Sequence, residues 1–253
     1  MRSSQTEQQA GIARLQAWRR NPVKFVEQAL GAKPDAWQAE CLRLLASRRR
    51  VSVRSGHGVG KTAVEAWAIL WFACTRFPCK IPATAPTSHQ LSDILWSELA
   101  KWHRCLCERL PELGLQYQWS SEKFCSVTHP NESFAVARTS RPEKPEALQG
   151  FHSDNILFVI DEASGVPDSV FEVAEGALST EGAYVLMCAN PTRQSGYFFE
   201  SHHRVRDMWS TMHVNSEEVA IVSKTYIEGM RRKYGRDSAI YQVRVLGEFA
   251  TAV

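Results

Sequence analysis

A glycine-rich stretch between a short apolar segment and a predicted helix carries residue types that suit phosphate binding. Residues 55–62 read SGHGVGKT, which follows the phosphate-loop pattern G-x-x-x-x-G-K-[ST] except that serine replaces the first glycine. Glycines let backbone N–H groups wrap around phosphate oxygens, and the N-terminus of the following helix adds partial positive charge. The alternative is a tight strand-to-helix corner with an exposed lysine. The predicted phosphate-binding residues are Ser55, Gly56, His57, Gly58, Val59, Gly60, Lys61 and Thr62.

Two residues of this loop are predicted to act on the end of a triphosphate. Lys61 is expected to reach the β- and γ-phosphates, where its charge would also assist catalysis, and Thr62 to place its hydroxyl on Mg²⁺. Such a loop requires a metal-holding carboxylate at the end of a neighbouring strand. The sequence must therefore supply an acidic residue directly after another apolar segment.

An adjacent acidic pair meets this requirement. Residues 156–160 are all apolar, which is typical of a central parallel strand, and Asp161 and Glu162 follow at its carboxyl end. Asp161 is predicted to hold Mg²⁺ through water, and Glu162 to act as the general base toward an attacking water. The alternative is that both acids only cap the next helix. Because the guanine-reading pattern N-K-x-D is absent, the predicted nucleotide is ATP.

Polar residues at two further places could contact the same nucleotide. Asn190 and Thr192 follow the apolar run 184–188, where a γ-phosphate sensor would lie, although an Asn-Pro turn explains them equally well. Trp37 and Gln38 precede the first strand and are predicted to read adenine. The alternative for Gln38 is a capping box with Asp35 at the start of a helix.

Composition restricts the class of protein. The chain has 253 residues, of which 44% are hydrophobic and 23% charged, so it can bury a substantial core. No apolar run approaches the ~18 residues of a membrane span, which excludes a membrane-spanning protein. Seven cysteines without regular spacing fit reduced thiols in a cytosolic compartment. The net charge of +3 does not indicate nucleic-acid binding, although local basic clusters such as 48–50 and 231–233 suit phosphates.

The order of predicted elements gives the fold class. Helices are predicted from Asn21 to about Gly31 and after Pro34, followed by alternating strands and helices, which is typical of a parallel sheet with crossover helices. Residues 115–138 are predicted to form short antiparallel edge strands, and the tail from about Val222 is predicted to be helical. The central segments are strands at 51–54, 81–85, 156–160 and 184–188 and helices at 61–75 and 90–107.

These motifs, in this order, resemble the N-terminal ATPase domain of the large subunit of tailed-bacteriophage terminases. The resemblance covers roughly residues 20–250. It rests on the Trp-Gln pair, SGHGVGKT, Ala85-Pro86-Thr87 with Gln90, Phe158-Val159-Ile160-Asp161-Glu162-Ala163, Ala189-Asn190-Pro191-Thr192 with Gly196-Tyr197-Phe198, and the final Leu246-Gly247-Glu248-Phe249.

The resemblance implies an α/β fold of the P-loop, RecA-like class, with a three-layer sandwich, a mostly parallel sheet, antiparallel edge strands and a small C-terminal helical lid. It implies N-terminal helices in 1–50, an ATPase core in 51–215 and a lid or linker in 216–253. It further implies a Mg²⁺-dependent motor that drives double-stranded DNA into a procapsid, as a homo-oligomeric ring on the portal protein. The expected location is the host cytoplasm and, transiently, the portal vertex.

Family members also work with a small terminase subunit and carry a C-terminal nuclease. Because this chain ends at Val253, close to where that domain would begin, no DNA cleavage is expected from it. The sequence departs from the family at Ser55 and His57, so an arginine within the loop is not expected. Arg138 and Arg141 are the candidates for a catalytic arginine supplied to a neighbouring subunit, with ordinary loop arginines as the alternative. The competing functions are a helicase-like or remodelling ATPase and a non-catalytic, nucleotide-dependent interaction module.

Overall fold

Eight strands form one sheet in the computed structural model, which describes residues 2–141, 143, 145–178 and 182–250. The strands are β1 (Arg50–Ser55), β2 (Cys79–Thr84), β3 (Tyr117–Trp119), β4 (Lys123–Ser126), β5 (Ser133–Ala137), β6 (Leu157–Asp161), β7 (Tyr184–Ala189) and β8 (Ser210–Val214). Their order across the sheet is β3-β4-β5-β2-β6-β7-β1-β8. The strands from β5 to β8 in this order are parallel, and the antiparallel pairs are β3 with β4 and β4 with β5. The predicted parallel sheet with an antiparallel edge is therefore confirmed.

Helices connect these strands. They are α1 (Arg2–Arg20), α2 (Pro22–Phe25), α3 (Ala36–Arg48), α4 (Lys61–Thr75), α5 (Trp96–Arg109), α6 (Pro111–Gly114), α7 (Asp168–Leu178), α8 (Tyr197–Ser201), α9 (Lys224–Tyr234) and α10 (Ala239–Tyr241). Three π-helical segments adjoin them, at Val26–Leu30, His89–Leu95 and Gln242–Leu246. Short 3₁₀ turns lie at Pro145–Leu148, Ala163–Gly165, Arg206–Met208 and Ser216–Glu218. In the described part of the chain, none of the helices combines the length and apolarity that crossing a bilayer requires.

Local sequence explains where several helices begin and end. Asn21 accepts a hydrogen bond from the Lys24 backbone N–H and stands before Pro22, which combines a capping side chain with proline at the first helical position. The π-helical segment that extends α2 ends at Gly31, whose φ of 69° is left-handed. Helix α4 begins at Lys61, directly after Gly60 with φ of 90°. The glycine-rich turn therefore leads straight into the N-terminus of α4.

The sheet separates two hydrophobic cores. Successive side chains of a strand point to opposite faces, so Leu157 and Val159 of β6 lie in one core while Phe158 and Ile160 lie in the other. The first core contains the apolar faces of α1 to α5, and the second contains α7 and α8. The molecule thus has three layers. Because both faces of the central strands are covered, the parallel edge where β1, β6 and β7 end is left to form a site.

Candidate active site

The glycine-rich loop is fixed by its own backbone and by α3. Gly58 and Gly60 have φ of 77° and 90°, values that glycine adopts without strain. The indole N–H of Trp37 donates to the Val59 carbonyl at 3.1 Å, and the Gln38 amide nitrogen donates to the Gly60 carbonyl at 3.2 Å. A Cβ on Gly60 would lie 2.6 Å from that amide nitrogen. The left-handed φ of Gly60 is what favours glycine at this position, and the Gln38 side chain packs closely against it.

Lys61 is surrounded by oxygen atoms from three different elements. Its Nζ lies 3.3 Å from Ser55 Oγ, 3.4 Å from Asn190 Oδ1 and 3.7 Å from Glu162 Oε1, and its side chain is only 10% exposed. The loop, the end of β6 and the end of β7 thus meet at one ammonium group. This is the juxtaposition that the sequence predicted for Lys61 and Glu162.

The acidic pair points to the loop because the chain turns sharply after β6. Asp161 is the last residue of β6 and pairs with Cys188 of β7, and both side chains interact with Glu65 of α4. Glu162 has φ of 46° and ψ of 44°, a left-handed conformation that is unusual for a glutamate, and its N–H donates to Asp161 Oδ1 at 2.8 Å. Such outliers cluster at functional sites because the surrounding structure must hold them. The Asp161-Glu162 pair is not a helix cap, since Glu162 makes no capping hydrogen bond at the 3₁₀ turn that follows.

Asn190 braces the loop from the end of β7. Its amide nitrogen donates to the Ser55 carbonyl at 2.6 Å, and its Oδ1 accepts from Lys61. Only 4% of the residue is exposed. Thr192, the other residue predicted as a phosphate sensor, is instead hydrogen-bonded to Ser164 through its hydroxyl at 3.0 Å.

These groups line a cavity of about 450 Å³. Its walls are His57, Gly58, Val59, Gly60, Lys61, Thr62, Gln90, Ile94, Asp161, Glu162 and Asn190. Ser55 and Gly56 form the base of the loop behind them, and Trp37 and Gln38 support it from α3. Most of the predicted site residues are therefore brought to one place at the carboxyl edge of the sheet.

Burial and like charge shape the electrostatics of the cavity. Burial, and next the negative charge of Glu162, raise the pKa of Asp161 to about 7, while Lys61 acts in the opposite direction. Burial, and next Lys61, lower the pKa of His57, which favours the neutral imidazole. The hydroxyl of Thr62 and the carboxylate of Asp161 are hard oxygen donors of the kind that Mg²⁺ prefers. These two residues therefore fit the predicted metal.

The other predicted site residues do not line the cavity. Gln38 forms the capping box that the sequence left as an alternative, since its Oε1 accepts from the Asp35 N–H at 2.8 Å. Both ends of its amide are thus bonded to protein, and its contact with adenine stays a prediction. Arg138 is exposed, with its guanidinium 4.7 Å from the centre of the Phe151 ring. Neither Arg138 nor Arg141 lines the cavity of its own chain.

Comparison with known proteins shows the family to which this chain belongs. The chain is 31% identical over 232 residues to the probable terminase large subunit of Enterobacteria phage P7. The alignment covers 87% of this chain and 47% of that protein. The chain is a homologue of the phage terminase large subunits. No protein-family model matches it.

Solved terminase structures share the fold. The large terminase ATPase domain of Thermus phage P74-26 superposes with a TM-score of 0.70 at 20% identity, covering 91% of this chain and 99% of that domain. The large terminase of a second thermophilic bacteriophage, solved in complex with ADP, has a TM-score of 0.64 at 18% identity, covering 92% and 54% of the two chains. At such identities the likeness shows the RecA-like fold alone. The chain spans about half the length of the terminase from phage P7.

One acidic residue beside the cavity, Glu65, was not predicted from the sequence. Glu65 stands one helical turn after Lys61 and is fully buried over the Asp161–Cys188 pair. No hydrogen-bond donor meets either carboxyl oxygen within the described residues, apart from the weak thiol of Cys188 beside it. Burial, and next Asp161, raise the pKa of Glu65 well above its usual value. The i, i+4 spacing from Lys61 was the only signal for this residue in the sequence.

The C-terminal segment also contacts the loop, which local patterns did not reveal. The His57 N–H donates to the Arg244 carbonyl at 2.7 Å, and Ser216 Oγ donates to the His57 carbonyl at 2.9 Å. A Cβ on Gly56 would overlap the Val245 carbonyl oxygen. Arg54, just before the loop, forms an ion pair with Glu248. The first half of the loop is therefore held between β1 and the C-terminal segment.

Proposed function

We propose that this chain is the ATP-hydrolysing motor domain of a terminase that moves double-stranded DNA into a procapsid. The observation that carries the proposal is the convergence of Lys61, Glu162, Asp161 and Thr62 on one cavity at the edge of a RecA-like sheet. Homology to the terminase from phage P7 supplies the biological setting. The complex of the second thermophilic phage terminase with ADP supports a nucleotide as the ligand of this fold.

The residues suggest how hydrolysis would proceed. The triphosphate lies along residues 55–62, where backbone N–H groups and Lys61 bind its oxygens. Thr62, directly, and Asp161, through water, would hold Mg²⁺, which would neutralise charge that develops on the phosphates. Glu162 accepts a proton from a water whose oxygen attacks the γ-phosphorus, while the bond from that phosphorus to the β-γ bridging oxygen breaks. The products are ADP and inorganic phosphate.

The ion pair between Lys61 and Glu162 suggests an order of events. The Lys61 ammonium lies 3.7 Å from the carboxylate that is to act as base. Phosphate oxygens compete for the same ammonium, because they carry more negative charge than one carboxylate. Binding of ATP therefore frees Glu162 to face the water. The base is held by the loop until a triphosphate arrives.

Further parts of the proposal follow from the terminase relatives. We assign adenine contact to Trp37 and Gln38, and a lid to residues 216–253, of which 251–253 lie outside the described residues. Arg138 or Arg141 serves the cavity of a neighbouring subunit in a homo-oligomeric ring. The ring acts in the host cytoplasm on the portal protein, with a small terminase subunit and double-stranded DNA as further partners.

The test compares Glu162→Gln with wild type in ATP hydrolysis, with and without DNA. The variant keeps the shape of the side chain but cannot take a proton, so the hydrolysis rate should fall by about 10²- to 10⁴-fold. Binding of a fluorescent ATP analogue should persist. The exposed Glu132, on the turn between β4 and β5, provides a matched control as Glu132→Gln.

Two results would count against the proposal. Unchanged hydrolysis by Glu162→Gln would remove Glu162 from the role of base. If concentrated wild-type protein binds the analogue but never hydrolyses ATP, even with DNA, the chain is a nucleotide-dependent interaction module.

A further inference from the structure

Gln90 lines the same cavity as the glycine-rich loop, Asp161 and Glu162, and it comes from a different part of the chain. It lies in the π-helical segment His89–Leu95, between β2 and α5, and its neighbour on the wall is Ile94. π-Helical segments are rare and frequently occur at functional sites. A Cβ on Gly165 would lie 2.8 Å from Pro86 Cγ, which shows that the chain after β2 packs against the turn after β6. Gln90 and Glu162 therefore belong to neighbouring segments and line one cavity.

The amide of Gln90 is oriented by Thr87. The Thr87 hydroxyl donates to Gln90 Oε1 at 2.9 Å, and the Gln90 backbone N–H donates to the same hydroxyl at 3.2 Å. With the oxygen turned to Thr87, the amide nitrogen is left with two N–H donors. It donates to no partner among the described residues. The cavity wall thus carries a fixed donor that the protein itself does not use.

The other side-chain amides around the cavity are already engaged. The Asn190 amide nitrogen donates to the Ser55 carbonyl, and that of Gln38 donates to the Gly60 carbonyl. No arginine is found among the described residues that line the cavity. Outside the loop itself, Gln90 is therefore the lining side chain whose amide N–H groups are left to donate to an anion.

We propose that Gln90 donates a hydrogen bond to the γ-phosphate of bound ATP and thereby lets the site distinguish ATP from ADP. The inference rests on the proposed ATPase function. Phosphate oxygens only accept hydrogen bonds, and the free amide N–H groups of Gln90 only donate. In the proposed complex the loop binds all three phosphates of ATP. Gln90 meets only the γ-phosphate, which projects toward Glu162. Losing Gln90 should therefore affect triphosphates alone.

The test measures the dissociation constants of ATPγS and ADP for wild type and Gln90→Ala. Hydrogen bonds to charged groups are strong, so ATPγS should bind about 10- to 100-fold more weakly to the variant. The dissociation constant of ADP should change by less than about twofold. The rate of ATP hydrolysis should also fall, because the same bond would stabilise charge on the transferred group.

Further variants separate this role from a structural one. Gln90→Glu places a negative charge against the γ-phosphate and should weaken ATPγS binding more than alanine does. Gln90→Lys restores a donor and should recover the preference for ATPγS over ADP. The exposed Gln116 provides a matched control, because Gln116→Ala should leave both constants unchanged. Melting temperatures of all variants show whether each is folded.

The outcomes are distinguishable. Equal weakening of ATPγS and ADP, or no weakening of either, in folded Gln90→Ala would overturn the assignment of Gln90. Failure of Gln90→Lys to recover the preference would also overturn it. If wild type itself binds neither nucleotide, the proposed ATPase function fails, and the inference with it.

Discussion

At the scale of single residues, the site depends on a glutamate with a strained backbone and on a lysine that is nearly buried. Glu162 has a left-handed backbone, and Lys61 is nearly buried with three oxygen partners. The strained backbone of Glu162 costs on the order of 1 kcal/mol and persists only when the surroundings over-determine it. Here the surroundings are the ends of β6 and β7 and the loop after β1. The cavity is therefore organised by contacts within the protein itself.

The raised pKa of Glu65 makes the free energy of unfolding depend on pH. Its folded-state pKa is raised above the unfolded value of about 4.5, so the folded protein retains a proton that the unfolded chain releases. The favourable contribution is complete below pH 4.5 and is lost as pH rises toward the folded-state pKa. The slope is at most about 1.4 kcal/mol per pH unit.

We therefore expect Glu65→Met, which fills a similar volume without an ionisable group, to gain stability relative to wild type as pH rises. Urea unfolding at about pH 4.5, 6 and 8 gives the free energy of unfolding of both proteins. The difference between them should be smallest at the lowest pH and grow at each step. Glu132→Met, at an exposed glutamate, is the control. A difference independent of pH would show that Glu65 ionises equally in the folded and unfolded chain.

At the scale of elements, the glycine-rich loop is contacted at two of its glycines, one by α3 and one by the C-terminal π-helical segment. Gly60 approaches Gln38 of α3, and Gly56 approaches Val245 in the π-helical segment that follows α10. Gly247, which ends that segment with φ of 67°, lies against Ser55 and the Gly56 nitrogen. The loop is thus positioned by elements from both ends of the chain.

Gly247→Ala tests this arrangement. The new Cβ would lie 2.7 Å from the Gly56 nitrogen and 2.8 Å from Ser55 Cα, so the loop must shift. We expect a loss of about 1 to 3 kcal/mol in the free energy of unfolding, together with weaker binding of a fluorescent nucleotide.

Gly235 offers a matched control for backbone strain. Its φ is 79°, but a Cβ there would meet nothing within 4 Å. Gly235→Ala should therefore cost about 1 kcal/mol of stability and leave nucleotide affinity unchanged. If both variants bind nucleotide as wild type does, the contact of Gly247 with the loop has no role in the site.

At the scale of the whole molecule, the single chain holds most of the proposed ATPase site but no arginine in its cavity among the described residues. Terminal charge on a transferred phosphoryl group is commonly stabilised by an arginine from another subunit, which raises the rate by ~10³- to 10⁵-fold. Arg138 is exposed on the segment after β5, and Arg141 follows three residues later. A ring of subunits would bring one of them to a neighbouring cavity.

Mixing experiments test this arrangement. Arg138→Ala or Arg141→Ala protein is titrated into wild type at constant total concentration, and ATP hydrolysis is measured. For the residue that acts in a neighbour, hydrolysis should fall more steeply than dilution of wild type predicts, because each variant subunit inactivates an adjacent site. Arg232→Ala, at an exposed arginine of α9, should give simple dilution or no effect. Simple dilution with both variants would remove them as trans residues.

Many of the helices and strands were predicted from local sequence patterns. The helix at 61–75 and the strands at 156–160 and 184–188 were predicted within one residue at each end, because continuous apolar runs between turn residues depend on few neighbours. The long helix predicted from Gln90 begins as a π-helical segment, and the strand near 81 begins at Cys79. Strand β8 and helix α1 were not predicted. β8 is partly exposed and weakly patterned, so its pairing with β1 depends on distant contacts.

The sequence by itself determined the glycine-rich loop, the acidic pair and the parallel core, since each depends on residues close together in the chain. Only the tertiary structure decided how the amides are used: Gln38 and Asn190 are bonded to the loop, while the Gln90 amide nitrogen donates to none of the described residues. It also decided that Glu65 is buried beside Asp161 and that the C-terminal segment holds the loop. The physical reason is that hydrogen-bond partners and burial are set by competition among groups that meet only when the chain is folded.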